Sequence, residues 1–209
     1  GPFDAAGIPM LDYRGAIGPQ YNPIAIAQYG LGCWNRWRRE GDRESLAKAV
    51  RAGDWLAAHL ELNRSGKRVW MHHFAWEYFR PLKAPWQSGL AQGQGISLLL
   101  RLAAAPEADR PAFRTAAETA FDALAAPIAE GGCLDTDAEG NIWIEEYLTE
   151  PTTHILNGFL WALWGVWDLR QAAAVAPAVR ARAAALWDAS LRTLERNLAR
   201  FDLGYWSAY

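Results

Sequence analysis

The sequence predicts an all-α fold, and three observations carry that reading. Apolar residues recur at helical spacing from Pro23 almost to the end of the chain. The helical stretches fall into pairs separated by Gly, Pro and Asp signals. A side-chain amide recurs at Gln28, Gln92 and Asn157, a step of about 65 residues that marks an internal repeat.

Residues 1–20 precede the first helical signal and read as an N-terminal extension; residues 21–209 read as one domain. Asn22 is a good helix cap and Pro23 suits the first helical position. The first helix is predicted to run to about Glu40, where Gly41-Asp42 stops it. Asp42 can cap the next helix, with Leu46, Val50, Trp55, Leu56 and Leu60 on one face. A second pair opens near Ser88, ends its first helix near Pro106, and continues from Pro111 to about Ile128. The third pair covers about Thr153 to Ala173 and Ala178 to Arg200.

The first members of the pairs are alike. They read Ala27-Gln28-Tyr29-Gly30, Ala91-Gln92-Gly93-Gln94 and Leu156-Asn157-Gly158-Phe159, and each is apolar nearly all round. The second members are Ala-rich with charges on one side. That contrast predicts buried inner helices and half-solvated outer ones, an incomplete α/α toroid of helical hairpins. An antiparallel bundle meets the same periodicity. Lys67–Phe79, rich in β-branched and aromatic residues, and 133–147, with an Asp137-Ala138-Glu139-Gly140 turn, read as short β-hairpin insertions. Each precedes an inner helix, so both are expected at one mouth of the scaffold, where sites are built.

Composition narrows the function. A net charge of −2 over 209 residues gives no field for nucleic acid, so an acidic ligand must be met by a few local cations. No apolar run reaches the roughly 18 residues of a membrane span, and the sequence shows no charged-plus-apolar stretch that would be expected of a leader. The start, Gly1-Pro2-Phe3, reads as a fragment; the Ala-rich, linker-poor chain reads as soluble and bacterial, with its compartment open. Twelve Trp residues exceed what a core needs, which places some in a cleft suited to sugar rings and more than half in packing. Cys33 and Cys133 have neither disulfide-framework nor metal spacing and are expected to be buried. His72 and His73 adjoin in a strand and face opposite ways, so no metal or other cofactor is expected. Asn63-Arg64-Ser65 matches a glycosylation sequon, read as chance.

Four segments resemble the helical domain of the glucuronyl C5-epimerase family. These are Tyr21–Leu31, Pro85–Ser97 with its Ala-Gln-Gly-Gln block, Glu145-Glu146-Tyr147 followed by Leu156–Phe159, and Tyr205–Tyr209. They lie in the family's order across nearly the whole chain. Leu148 stands where the family has a Pro. Family members continue past the position of Tyr209 through an arginine and a tyrosine–histidine segment, so the sequence is expected to be a fragment lacking both.

The resemblance implies inversion of D-glucuronate to L-iduronate at C5 in a heparosan-like polysaccharide, without a metal. That chemistry needs a base on one sugar face, an acid on the other, and donors for the developing dianion. Carried over from the family, Glu146 and Tyr147 serve one face and Tyr209 the opposite one. Adjacent residues of an extended segment alternate sides, so only one of Glu146 and Tyr147 is expected in the cleft. Gln28, Trp86, Gln92, Gln94, Asn157 and Tyr205 are candidate substrate-binding residues; inter-helix bonding is the other role open to the amides. Arg80 and Lys83 are candidate cations. The partner is then a uronic-acid oligo- or polysaccharide, and family members often form homodimers, although no exposed stripe in this sequence argues for one. Two alternatives share the scaffold: a uronic-acid polysaccharide lyase, and a non-catalytic glycan-binding domain. A hydrolase would need a second carboxylate opposite Glu146, for which Glu77 and Asp135 are the candidates.

Overall fold

The computed structural model describes residues 1–108 and 110–208. The fold is mostly α, with strands confined to short antiparallel pairs. In the N-terminal extension, β1 (Leu11–Asp12) pairs with β2 (Pro19–Gln20). α1 (Pro23–Glu40) starts where predicted because the Asn22 side chain accepts the N–H groups of Ile24 and Ala25. It stops where Gly41 takes a left-handed conformation, φ 71°, and returns its N–H to the Trp37 carbonyl. Asp42 caps α2 (Arg43–Ala58) in the same manner as Asn22.

Six short strands follow. β3 (Glu61–Leu62) pairs with β4 (Arg68–Val69). β5 (Met71–His72) pairs with the distant β8 (Trp86–Gln87), and between them β6 (Trp76–Glu77) pairs with β7 (Pro81–Leu82). The aromatic segment is therefore a nested pair of ribbons, not one hairpin.

The second helical pair is α3 (Gly89–Ala103) and α4 (Pro111–Leu124). α4 ends short of the predicted Ile128 because Pro127 cannot continue it, and a 3-10 turn over Ile128–Glu130 takes over. β9 (Leu134–Thr136) and β10 (Ile142–Ile144) form the predicted hairpin. α5 (Leu156–Gln171) begins after the predicted Thr153, since the Thr153 and His154 N–H groups are held by the Glu145 carboxylate. α6 (Pro177–Asn197) closes the third pair and gives way to a 3-10 turn, Leu198–Phe201.

α3 is the centre of the fold and is buried along nearly its whole length. It packs between α1 and α5, and α2 and α4 pack behind it. Two glycines permit the closest approach: a Cβ at Gly93 would strike the Ala162 backbone, and one at Gly165 would strike the Gly93 carbonyl. Only α3 shows the all-round burial expected of an inner helix. α1 buries one face, and α5 leaves Asn157, Leu160, Trp161 and Trp164 exposed. The end members of a three-helix row have one inner neighbour each. The result on α5 is an exposed apolar stripe that the sequence reading did not anticipate, because a helix apolar all round gives no clue to its open face.

Cys133 is fully buried as expected, whereas Cys33 is only partly so. Trp70 and Trp143 are core residues. Among the described residues no helix is long and apolar enough to cross a membrane.

Candidate functional site

The Glu145-Glu146-Tyr147 segment leaves β10 and runs to α5 as a tethered loop. Its first residue is anchored on both sides, the Glu145 N–H donating to the Cys133 carbonyl (2.9 Å) and its carbonyl accepting from Gly89 (2.9 Å) at the start of α3. The Glu145 carboxylate is fully buried and accepts the N–H groups of Thr153 (3.0 Å) and His154 (3.2 Å). One side chain thus ties together the two ends of the loop. Burial pushes the Glu145 carboxyl up, and the N–H donors oppose that rise.

His154 sits in a left-handed conformation, φ 48°, and bonds Asp135 through Nε2 (2.8 Å). Asp135, Glu145 and His154 are the one group among the described residues whose metal-ligating atoms converge, all within 4.8 Å. The same atoms hydrogen-bond one another and the loop, which accounts for their proximity.

The chain bends at Glu146-Tyr147, which overturns the expectation that the two side chains alternate sides. They interact with each other instead. Glu146 packs on Gly158 in the first turn of α5, where a Cβ would strike its carboxylate. Burial raises the Glu146 pKa, and the Tyr147 hydroxyl offsets part of that rise. The Tyr147 phenol is pushed well above its ordinary value, first by burial and then by the Glu146 charge. The surroundings thus favour the neutral phenol, and Tyr147 keeps its proton.

Aromatic rings wall the pair. Tyr147 lies 4.9 Å from Tyr78 and 5.8 Å from Trp86, centroid to centroid. Trp86 is fixed by a bond from Nε1 to the Phe74 carbonyl (2.8 Å) and stacks flat on His72, 3.8 Å away at 4°. Tyr13 reaches in from the N-terminal extension, 4.5 Å from Phe74 and 5.0 Å from Trp76. Its hydroxyl accepts from Asn22 (2.6 Å), so the residue that caps α1 also positions a wall of the site. His72 is fully buried, its Nε2 lacks a partner, and burial lowers its pKa to about 3, leaving it neutral. Sequence reasoning missed Tyr13 and Tyr78 as neighbours of Tyr147, and His72 as the ring behind Trp86; the aromatic run 70–79 was the only signal for the latter two.

The other candidates separate. The Gln92 amide is a correction: it is fully buried, and its two ends bond the Trp70 N–H and carbonyl and the Ser88 carbonyl, so no donor or acceptor faces a ligand. Gln28 and Gln94 line a different concavity, of about 540 Å³ between α1, α3 and α5, with Trp161 and Trp164. There Gln94 donates to the Trp161 carbonyl (2.7 Å), and Arg101 pairs with Asp168 (3.1 Å). Asn157 is exposed on the first turn of α5, and Arg80 and Lys83 are exposed beside β7. Tyr205 is almost fully exposed. Tyr209 lies outside the described residues.

Comparison with known proteins bears on this arrangement. A family model described as D-glucuronyl C5-epimerase C-terminus matches residues 65–209, which include Trp86, Glu146 and Tyr147. D-glucuronyl C5-epimerase of Caenorhabditis elegans is 33% identical over 165 residues, covering 76% of this chain and 26% of that protein. An uncharacterized protein of Methanocaldococcus jannaschii is 26% identical over 231 aligned positions, covering 100% of this chain and 72% of that protein. The chain thus spans about a quarter of the nematode protein's length. It belongs to the family of carbohydrate epimerases defined by the D-glucuronyl C5-epimerase C-terminus.

Proposed function

We propose that this chain inverts C5 of a uronic acid within a polysaccharide, taking D-glucuronate to L-iduronate in a heparosan-like chain. The observation that carries the proposal is the Glu146–Tyr147 pair, with Tyr78 and Trp86 packed against Tyr147 and the pair lying on the family-matched segment.

The proton at C5 is weakly acidic because the neighbouring carboxylate is already negative. A phenol that stays protonated cannot take it unaided, but Glu146 can accept the phenolic proton as Tyr147 receives the one from C5. The C5–H electron pair then moves into the substrate carboxylate, giving a dianionic enediolate. A raised Glu146 pKa strengthens it as the acceptor near neutral pH. Return of a proton to the opposite face completes the inversion, and Tyr209 is the residue we assign to that step. Trp86 and Tyr78 supply apolar faces for the sugar ring.

The test is incubation with heparosan oligosaccharides in deuterated water, read at C5 by NMR. Deuterium at C5 with new iduronate signals and no change in chain length is the expected result. An ultraviolet-absorbing unsaturated product would replace this reading with a lyase. Binding without exchange would reduce the chain to a glycan-binding domain.

A further inference from the structure

A concavity lies beside the Glu146–Tyr147 pair. It encloses about 330 Å³ and is lined in part by Trp86, the indole next to Tyr147. Leu148, next in the chain to Tyr147, forms part of its wall, with Met71, Gln87, Asn63 and Arg64 among the rest. Among the described residues Arg64 is the only charged one lining it. The guanidinium is exposed and takes part in none of the ion pairs among the described residues.

The turn that carries Arg64 is built to stay in place. Asn63 Oδ1 accepts from the Ser65 and Lys67 N–H groups, both at 3.0 Å, which closes the turn between β3 and β4. Asn63 Nδ2 donates to Gln87 Oε1 (2.8 Å) and to the Gly131 carbonyl (2.7 Å). Gln87 Nε2 in turn donates to the Gly131 carbonyl (3.0 Å) and the Gly132 carbonyl (3.2 Å). Gly131 is held at φ 80°, with Ser65 where a Cβ would stand. The Asn63-Arg64-Ser65 motif therefore has a structural explanation: the amide of Asn63 fastens the Arg64 turn to β8 and to the segment before β9. The two amides are spent on holding the turn, so the charge of Arg64 and the indole of Trp86 are what the groove offers a ligand, a pairing that suits a sugar carrying an acid group.

We propose that this groove is a subsite for a second, anionic sugar of the bound chain, and that Arg64 recognises its carboxylate. The inference rests on the uronic-acid reading of the neighbouring pocket. It gives the glycan a direction across the mouth, past Trp86 toward the turn between β3 and β4.

Binding and exchange separate the two ideas. Wild-type protein, Arg64→Gln and Arg64→Lys are titrated with a heparosan hexasaccharide, and again with the same hexasaccharide after reduction of its carboxylates. Arg114→Gln, at an exposed position on α4, is the charge-matched control. We expect Arg64→Gln to raise Kd for the native sugar about tenfold or more, as for loss of a charge-assisted bond. Arg64→Lys is expected to recover part of that loss, Arg114→Gln to match wild type, and the reduced sugar to bind wild type and Arg64→Gln alike. Equal Kd values for wild type and Arg64→Gln on the native sugar would overturn the subsite. Deuterium exchange on the wild type is scored separately. Binding that depends on Arg64 without exchange keeps the subsite and removes the epimerase reading, and no binding by wild type removes both.

Discussion

At the scale of single residues, the proposal makes Glu146 and Tyr147 one acid–base unit, and their tests should show it. Tyr147→Phe and Glu146→Gln are each expected to cut C5 exchange by about 10²- to 10⁴-fold, the span usual for a lost acid or base. The double variant should fall little further than either single one, because residues that act together are not additive. The pH profile carries a sign. Glu146 must be ionised to accept a proton, and burial raises its pKa above the ordinary 4.5. Exchange should therefore fall as pH drops through a midpoint above that value, and the midpoint should vanish in Glu146→Gln. A midpoint at or below 4.5 would remove Glu146 from the role. The resemblance singled out these two residues, and Trp86 with them, and the fold brings the three together. Gln92 shows the limit of such reading: a recurring amide says that a hydrogen bond is made, and only the fold says with what. Here the partner is the backbone of Trp70.

At the scale of elements, the helix starts were the most legible features, because caps are local chemistry. Asn22-Pro23 and Asp42 place α1 and α2 from the sequence alone. The start of α5 was misplaced by three residues because the groups that displaced it come from Glu145, eight and nine positions earlier. That tether is testable. Glu145→Ala leaves two N–H donors without their acceptor inside the protein, at about 1–3 kcal/mol each, and should lower the melting temperature measurably. The α3–α5 crossing gives a second test with an inverted sign. Ala is the better helix former by about 1 kcal/mol, so Gly32→Ala on the open face of α1, where a Cβ meets nothing, should stabilise. Gly93→Ala should instead destabilise by roughly 1–3 kcal/mol, because its Cβ meets the Ala162 backbone and neither helix can give way without moving the other. Chemical denaturation of the two variants checks both signs. The nested pairing of β5 with β8 was beyond the sequence, since strand propensity names strands and not their partners.

At the scale of the whole molecule, the site's buried groups set how stability responds to acid. His72 lies in the core behind Trp86 with a pKa of about 3, while in the unfolded chain it titrates near 6.5. Between those values the unfolded state holds the extra proton, so the folded state loses ground as pH falls. A single fully shifted group changes stability by about 1.4 kcal/mol per pH unit across that window. Glu145 and Glu146 oppose this trend. Their pKa values are raised on folding, so the folded state holds more protons than the unfolded one as pH falls toward 4.5. The two effects overlap in the weakly acidic range, and the glutamate contribution stops growing below the unfolded carboxylate pKa while the His72 loss continues. Net loss of stability should therefore steepen below about pH 4.5. His72→Phe keeps a flat ring against Trp86, cannot charge, and leaves no orphaned Nε2, so it should flatten that descent. Melting temperatures of wild type and His72→Phe between pH 7 and pH 4 test the point. Curves that stay parallel would mean that His72 is not the group whose charging destabilises the fold, whereas curves that diverge steadily below pH 6.5 would place the acid sensitivity of the domain directly behind its candidate catalytic pocket.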